Sequence, residues 1–185
     1  MNLAEKLIDI LKKDNVLLTG GAGVGKSYLV GEVVSALRKV GKQVVVLGST
    51  GVSAVNVGGQ TLHSFFAFGI CNHLDELMRT DRYAKARLAE IKKVLSRCDV
   101  LVIDEISMVS ADVLDMIYYR LRNNGFEGSV LFVGDFFQLP PVTKAKTDSL
   151  LGGFEYAFES SSWRAYAPVV VELTVTKRTH DALFF

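Results

Sequence analysis

The sequence predicts a three-layer α/β fold built on a parallel sheet, and three observations lead to that class. Short, continuous runs rich in Val, Ile and Leu lie at residues 16–19, 43–47, 100–103, 130–133 and 169–173. Such runs are typical of strands that are covered on both faces. The connections between them are long, as parallel strands require, and two of them carry apolar residues at helical spacing. At 185 residues and 49% hydrophobic composition, we expect a single domain spanning 1–185.

A phosphate-binding loop follows the first strand directly. Its sequence is Gly20-Gly21-Ala22-Gly23-Val24-Gly25-Lys26-Ser27. Small residues allow successive backbone N–H groups to surround a triphosphate, and the N-terminal end of the next helix faces its charge. Lys26 is expected to reach the outer phosphates and the Ser27 hydroxyl to bind Mg²⁺. The residues from Gly21 to Ser27 therefore predict a site for a nucleoside triphosphate with Mg²⁺.

Two helices are predicted between the strands. The apolar face of the first is formed by Leu29, Val30, Val33, Val34, Leu37 and Val40, and that of the second by Val113, Leu114, Ile117, Tyr118 and Leu121. Ser110 is placed to cap the start of the second helix, with Asp112 in its first turn. The run 123–125, Asn-Asn-Gly, is expected to end it.

The third strand ends in two acidic residues, Asp104 and Glu105. Open α/β sheets bind ligands at the carboxyl ends of their strands, so the pair is expected to lie near the phosphate loop. Asp104 would hold Mg²⁺, directly or through water, and Glu105 would orient the water that attacks the γ-phosphate. An Asp-Glu pair is also common in surface loops, and the phosphate loop is what favours the catalytic interpretation.

The fourth strand leads into residues 134–142, Gly-Asp-Phe-Phe-Gln-Leu-Pro-Pro-Val. Gly-Asp and Pro-Pro are ordinary turn sequences. Gln138, however, leaves the sheet at its ligand-bearing end, where it can contact the γ-phosphate and transmit the nucleotide state to the loop.

Together with residues 48–56, 60–66 and 104–109, this loop resembles the first motor domain of PIF-family DNA helicases. That family belongs to the B branch of helicase superfamily one and has the RecD and Dda enzymes as relatives. The resemblance runs from about residue 15 to about residue 181. It implies a RecA-like domain with strand order 5-1-4-3-2, in a motor that hydrolyses ATP while moving 5′-to-3′ along single-stranded DNA.

The resemblance also implies roles for individual residues. The residues that would lie along the DNA strand are Thr50, Gly51, His63, Ser64 and Phe66. Gln138 would couple nucleotide to DNA, and Arg178 would reach the γ-phosphate. The family usually has a Gln before the phosphate loop that contacts adenine, and residues 1–19 contain none. Adenine selectivity is therefore not predicted.

The residue chemistry fits these roles but also has structural explanations. Thr50 and the Gly51 backbone can donate to phosphates, and Phe66 can stack on a base. Alternatively, Phe65, Phe66 and Phe68 are core residues, and His63 makes its contacts within the protein and does not bind DNA. Residues 79–97 contain seven Lys or Arg against two acidic residues. This stretch fits either a phosphate-contacting surface or, preferably, the solvated face of a helix that packs through an apolar stripe.

Composition restricts the remaining expectations. A formal net charge of +1 predicts no partner class by itself. Cys71 and Cys98 lack metal-ligand spacing, so we expect free thiols in a reducing compartment. No apolar run is long enough to cross a bilayer, so we expect a cytoplasmic protein without a membrane partner. The resemblance covers one lobe of a two-lobe motor. We therefore expect a monomeric, truncated first lobe that binds nucleotide but does not unwind DNA without the second RecA-like lobe.

Two other functions share part of the pattern. A DNA-independent P-loop switch or loader ATPase would have the phosphate loop and the two acids, but it would not explain residues 61–63 or 138–141. A nucleotide kinase of the thymidine kinase type would be expected to have a Cys-rich zinc site, and the two isolated cysteines argue against it.

Overall fold

The computed structural model describes residues 2–56, 58–138 and 156–174, and within these ranges one parallel sheet forms the centre of the fold. Its strands are β1 (Val16–Gly20), β2 (Val44–Gly48), β3 (Gln60–Thr61), β4 (Val100–Asp104), β5 (Ser129–Val133) and β6 (Val169–Leu173). The sheet order is β3-β2-β4-β5-β1-β6, and every neighbouring pair is parallel. The predicted α/β class is confirmed.

The five predicted strands are all present, and they lie in the order that the resemblance implied. The sheet nevertheless has a sixth strand, β3, which the sequence analysis did not predict. It has two residues and pairs with the end of β2, Leu47 opposite Gln60 and Gly48 opposite Thr61. A pair of polar residues carries no apolar run, so the pattern that revealed the other strands is missing here.

Helices surround the sheet on both faces. They are α1 (Leu3–Leu11), α2 (Lys26–Lys39), α3 (Gly51–Asn56), α4 (Leu62–Phe66), α5 (Leu74–Thr80), α6 (Lys85–Leu95), α7 (Ala111–Asn123) and α8 (Ser161–Tyr166). Short 3-10 helices lie at Asp81–Tyr83, Ile106–Met108 and Ala157–Glu159. No helix in the described ranges is long and apolar enough to span a membrane.

The core is divided by the sheet into two clusters, as a three-layer fold requires. Successive residues of β4 alternate between them: Leu101 and Ile103 face one cluster, Val100 and Val102 the other. The first cluster is completed by apolar residues of α4 to α8, and the second by α1 and α2. Both faces of the central strands are thereby buried, which explains why their sequences are continuous apolar runs.

The two predicted helices form α2 and α7. Leu29, Val30, Val33, Val34 and Leu37 are buried against the sheet, whereas Val40 follows the end of α2 and is 74% exposed. In α7, Leu114, Ile117 and Leu121 are buried. Ser110 caps α7 by accepting a hydrogen bond from the Val113 N–H at 3.3 Å, as predicted. Gly125 follows its end with φ +72°, a conformation that favours glycine.

Candidate functional site

The phosphate loop connects β1 to α2 at the carboxyl edge of the sheet, and glycines shape it. Gly20 pairs with Leu173 of β6, and a Cβ there would lie 2.5 Å from the Leu173 carbonyl oxygen. Gly25, at the start of α2, has φ +94°. Gly21, Ala22 and Gly23 are exposed, while Val24 is buried and holds the loop against the domain. The loop therefore presents its backbone to solvent from a fixed base.

Lys26 begins α2 and folds back over the loop. Its Nζ donates to the carbonyl oxygens of Gly20 at 2.6 Å and Gly21 at 3.0 Å. The ammonium group thus lies beside the exposed loop backbone, where a bound triphosphate would place its outer phosphates.

Ser27, Asp104 and Glu105 line one cleft of about 670 Å³. Ser27 is exposed in the first turn of α2, and Asp104 is the last residue of the buried strand β4. The structure therefore brings together both predicted Mg²⁺ ligands and the predicted water-orienting residue. Hydroxyl and carboxylate oxygens are ligands that Mg²⁺ accepts, so this donor set fits the ion.

The surroundings of the Asp104 carboxyl group disfavour its charged form. Burial raises its pKa from the ordinary value, and the neighbouring Glu105 charge adds to the rise. A hydrogen bond from the Glu105 N–H to Asp104 Oδ1 at 3.0 Å and the charge of Lys26 oppose it. A divalent cation in this cleft would supply the positive charge that favours the carboxylate.

Glu105 leaves the strand in an uncommon backbone conformation. Its φ of +56° lies in the left-handed region, which non-glycine residues rarely adopt. Such local strain is concentrated at functional sites. Ile106 is the next residue after Glu105, and a Cβ on Gly134 would lie 3.0 Å from the Ile106 nitrogen. The loop after β5 therefore packs closely against the segment that follows the two acids.

Gln138 lies at the same edge, after β5, and its side chain is exposed. Its Nε2 donates to Asp135 Oδ2 at 3.0 Å, and the other oxygen of Asp135 accepts from the Phe137 N–H at 3.0 Å. Asp135 thus fixes the turn that carries Gln138. The predicted residue Arg178 and residues 139–142 lie outside the described residues.

Thr50 lies between β2 and α3 at the same carboxyl edge, and Gly51 begins α3. The Thr50 N–H donates to Ser53 Oγ at 2.9 Å, and the Ser53 N–H donates to Thr50 Oγ1 at 3.1 Å. This reciprocal pair fixes the start of α3 in the manner of a capping box. Thr50 is half-buried and Gly51 is exposed, so the Gly51 backbone is accessible to a ligand.

His63 and Ser64 project from the exposed side of α4. The His63 ring stands edge-on to Phe68, with ring centroids 5.6 Å apart. Thr61 caps the helix by accepting from the Ser64 N–H at 3.2 Å. Both predicted nucleic-acid residues are therefore accessible on a short, capped helix that follows β3.

The prediction that Phe66 contacts DNA is wrong for this structure. Phe66 is 0% exposed and stacks on Phe68 within the core, with ring centroids 5.5 Å apart. Its neighbour Phe65 is also buried. Phe66 lies one helical turn after Leu62, and both side chains lie on the buried side of α4.

The basic stretch forms an exposed surface above a buried apolar stripe, an arrangement compatible with both interpretations of its sequence. Its seven basic residues are all exposed: Arg79, Arg82, Lys85, Arg87, Lys92, Lys93 and Arg97. Ile91 and Leu95 of α6 are buried beneath them. Arg87 is the point at which this surface meets α4, because its guanidinium donates to the Ser64 carbonyl oxygen at 3.1 Å.

Two residues that were not predicted, Ser53 and Asp135, position predicted site residues. Ser53 is 5% exposed, pairs with Thr50 and also lines the cleft of Asp104. The spacing Thr-x-x-Ser before a helix resembles a capping box and could have identified it. Asp135 could have been found as a side chain that hydrogen-bonds its own turn, a common use of Asp.

Similarity to known proteins extends over nearly the whole chain. A family model described as PIF1-like helicase matches residues 4–183. The ATP-dependent DNA helicase Pif1 of Campylobacter jejuni is 46% identical over 98% of this chain and 41% of its own length. The ATP-dependent DNA helicase PIF1 of Homo sapiens is 38% identical over 95% of this chain and 26% of its own. The chain thus spans less than half the length of these relatives.

Solved structures give the same match. A crystal structure of Pif1 helicase from Bacteroides in complex with ADP-AlF3 and ssDNA aligns with 98% of this chain and 43% of its own, at TM-score 0.79 and 30% identity. A Bacteroides Pif1 bound to ssDNA aligns with 95% of this chain and 42% of its own, at TM-score 0.77 and 32% identity.

Proposed function

The chain belongs to the PIF1-like helicase family, and we propose that it is the ATP-hydrolysing motor domain of a 5′-to-3′ DNA helicase that moves along single-stranded DNA. The observation that carries the proposal is the cleft shared by Ser27, Asp104 and Glu105, next to the phosphate loop. Together, the loop and the cleft supply the groups that phosphoryl transfer to water needs: phosphate binding, metal ligands and a carboxylate for the water.

Each residue of the site has one task in the proposed reaction. Backbone N–H groups of residues 21–27 bind the phosphates, and Lys26 moves from the loop carbonyls to the outer phosphates. Ser27 and Asp104 would hold Mg²⁺, and the bound ion would neutralise charge on the transferred phosphoryl group. Glu105 orients water against the γ-phosphate and accepts its proton. Gln138 senses the γ-phosphate after exchanging its bond to Asp135.

Single-stranded DNA is the proposed polymer partner. Two solved relatives are bound to ssDNA, which supports single-stranded DNA as the partner of this chain. Thr50, the Gly51 backbone, His63 and Ser64 are the groups proposed to contact it. They lie after β2 and β3, at the edge of the sheet that also carries the nucleotide site, so one ligand can influence the other over a short distance.

A second RecA-like lobe of the same polypeptide is the other proposed partner. Closure of two lobes around ATP would drive translocation, and Arg178 would reach the γ-phosphate. We propose a monomer, located in the cytoplasm, whose first lobe binds nucleotide but does not separate strands alone. The buried free thiols of Cys71 and Cys98 agree with the reducing compartment proposed.

Nucleotide binding and hydrolysis test the proposal in two steps. Titration of a fluorescent ADP should reveal Mg²⁺-dependent binding that Lys26→Ala abolishes and Glu105→Gln retains. ATP hydrolysis, measured with and without oligothymidine, should be stimulated by the single strand in a two-lobe polypeptide and suppressed at least about 100-fold by Glu105→Gln. Hydrolysis by Glu105→Gln at the parent rate would show that another group orients the water. Strand separation by the 185-residue chain alone would refute the two-lobe requirement.

A further inference from the structure

Arg120 is a buried charge outside the nucleotide site. It lies in α7, and its side chain is 1% exposed. Its Nη1 and Nη2 donate to the two carboxylate oxygens of Asp81 at 2.5 and 2.7 Å, and its Nε donates to the Phe66 carbonyl oxygen at 2.9 Å. One guanidinium therefore joins three elements: α7, the 3-10 helix Asp81–Tyr83 and the end of α4.

This arrangement is not explained by stability alone. A charge buried at this depth needs a partner, and replacing such an ion pair with apolar side chains is often neutral or stabilising. The guanidinium of Arg is planar, so its hydrogen bonds to the carboxylate and to the carbonyl oxygen lie in one plane. This fixes the relative orientation of the groups that it joins. The geometry points to a role in placing the elements that Arg120 joins.

The element most dependent on such placement is α4. A helix of five residues is too short to be stable by itself, so tertiary contacts must determine its position. Leu62, Phe65 and Phe66 bury one side of it, and polar contacts at its ends restrain it further. Two arginines supply these at the end of the helix: Arg120 at the Phe66 carbonyl and Arg87 at the Ser64 carbonyl.

We propose that Arg120, held by Asp81, is a positioning residue that aligns His63 and Ser64 of α4 for single-stranded DNA. The inference rests on the proposed function, since it assumes that these two residues contact the strand. Arg120 itself is buried and does not touch DNA. Arg120 fixes α4, whose exposed side is proposed to contact DNA. It also connects α4 to Asp81 at the start of the basic surface.

The decisive variant removes the hydrogen bond from Arg120 to the Phe66 carbonyl oxygen while preserving stability and net charge. Arg120→Met/Asp81→Leu replaces the ion pair with apolar side chains, so the domain is expected to stay folded. The matched control is Arg122→Met, which makes the same substitution at an exposed position of the same helix. Arg120→Lys is a second variant, since it keeps a cation for Asp81 but lacks the fork that reaches the Phe66 carbonyl.

The affinities for oligothymidine and for ADP distinguish a positioning role of Arg120 from a general effect on folding. The Kd for labelled oligothymidine should rise about tenfold in the double variant and in Arg120→Lys, as loss of alignment weakens the contacts of His63 and Ser64. The Kd for fluorescent ADP with Mg²⁺ should change less than about twofold, because α4 does not line the nucleotide cleft. Arg122→Met should change both affinities less than about twofold.

Parent-like oligothymidine affinity in the double variant or in Arg120→Lys would overturn the inference. So would a parallel loss of oligothymidine and ADP affinity, which is what a merely structural role predicts. If the parent chain itself fails to bind oligothymidine, the proposed DNA contact fails and the inference fails with it. That outcome differs from the others because it appears before any substitution is made.

Discussion

At the scale of single residues, the site combines exposed phosphate-binding groups with a carboxylate that is buried at a cost. Asp104 ends the central strand β4, where both faces of the sheet are covered, and it is 8% exposed. Its pKa is raised first by that burial and then by the charge of Glu105. A buried acid beside a phosphate loop is the expected form of a group whose charge is needed only when the ligand is bound.

The raised pKa predicts a pH-dependent loss of stability that Asp104→Asn removes. Between the ordinary value of 3.8 and the raised pKa, the folded state binds more protons than the unfolded state. The free energy of unfolding therefore falls as pH rises through this window. Without Mg²⁺ at neutral pH, Asp104→Asn should melt at a higher temperature than the parent, and the difference should vanish in acid.

Differential scanning fluorimetry across pH, with and without Mg²⁺, measures this. The control is Asp115→Asn, because Asp115 is a hydrogen-bonded acceptor for Ser160 and Ser162 and should lose stability on substitution. An Asp104→Asn variant that melts below the parent at neutral pH would contradict the electrostatic interpretation.

Phe66 and His63 illustrate what a motif alone does not reveal. Both lie in the segment that carries the family resemblance, and at the sequence level both fit a DNA contact. The structure separates them, because α4 directs the Phe66 ring into the core and the His63 ring to the surface. A five-residue helix contains too few apolar positions for its period to show which side is buried.

The separation predicts different consequences for the two alanine variants. Phe66→Ala should lower the free energy of unfolding by about 3–5 kcal/mol, the usual loss for a fully buried Phe. His63→Ala should change it by less than about 1 kcal/mol and weaken oligothymidine binding instead. Urea unfolding and anisotropy titration test the pair. A small stability change in Phe66→Ala would mean that the ring is not packed as described.

At the scale of elements, the sequence predicts most of the long elements but misses the nine-residue helix α1 and the short elements. The strands β1, β2, β4, β5 and β6 and the helices α2 and α7 were predictable because their apolar residues repeat over several positions. Helix α3 and strand β3 have few residues, and tertiary contacts determine them. A Cβ on Gly48 would collide with the backbone of Ala54, for example, so glycine at the end of β2 lets α3 approach.

The cap of α3 yields a prediction about this short element. Ser53→Ala removes the acceptor of the Thr50 N–H and the hydroxyl partner of Thr50. It should lower the free energy of unfolding by about 1–2 kcal/mol and weaken oligothymidine binding, because Thr50 and Gly51 lose their fixed geometry. Val52→Ala is the matched control, since Val52 lies in the same helix and is 74% exposed. Equal behaviour of the two variants would refute the role assigned to the cap.

At the scale of the whole molecule, parallel topology is what assembles the site. Every strand of the sheet points the same way, so the loops after β1, β2, β4 and β5 emerge at one edge. This juxtaposition was predictable from the class of fold. The anchoring of α4 by Arg120 was not, because it depends on a hydrogen bond between residues 54 positions apart in sequence.

The central claim is that this edge of the sheet binds single-stranded DNA beside the nucleotide. Fluorescence anisotropy of labelled oligothymidine at low salt, for the parent and for Thr50→Ala/His63→Ala, tests it most directly, with a duplex of equal length as control. We expect the parent to bind the single strand more tightly than the duplex, added salt to weaken binding, and the variant to lose most of the affinity. Absence of single-strand binding, or equal binding by parent and variant, would contradict it.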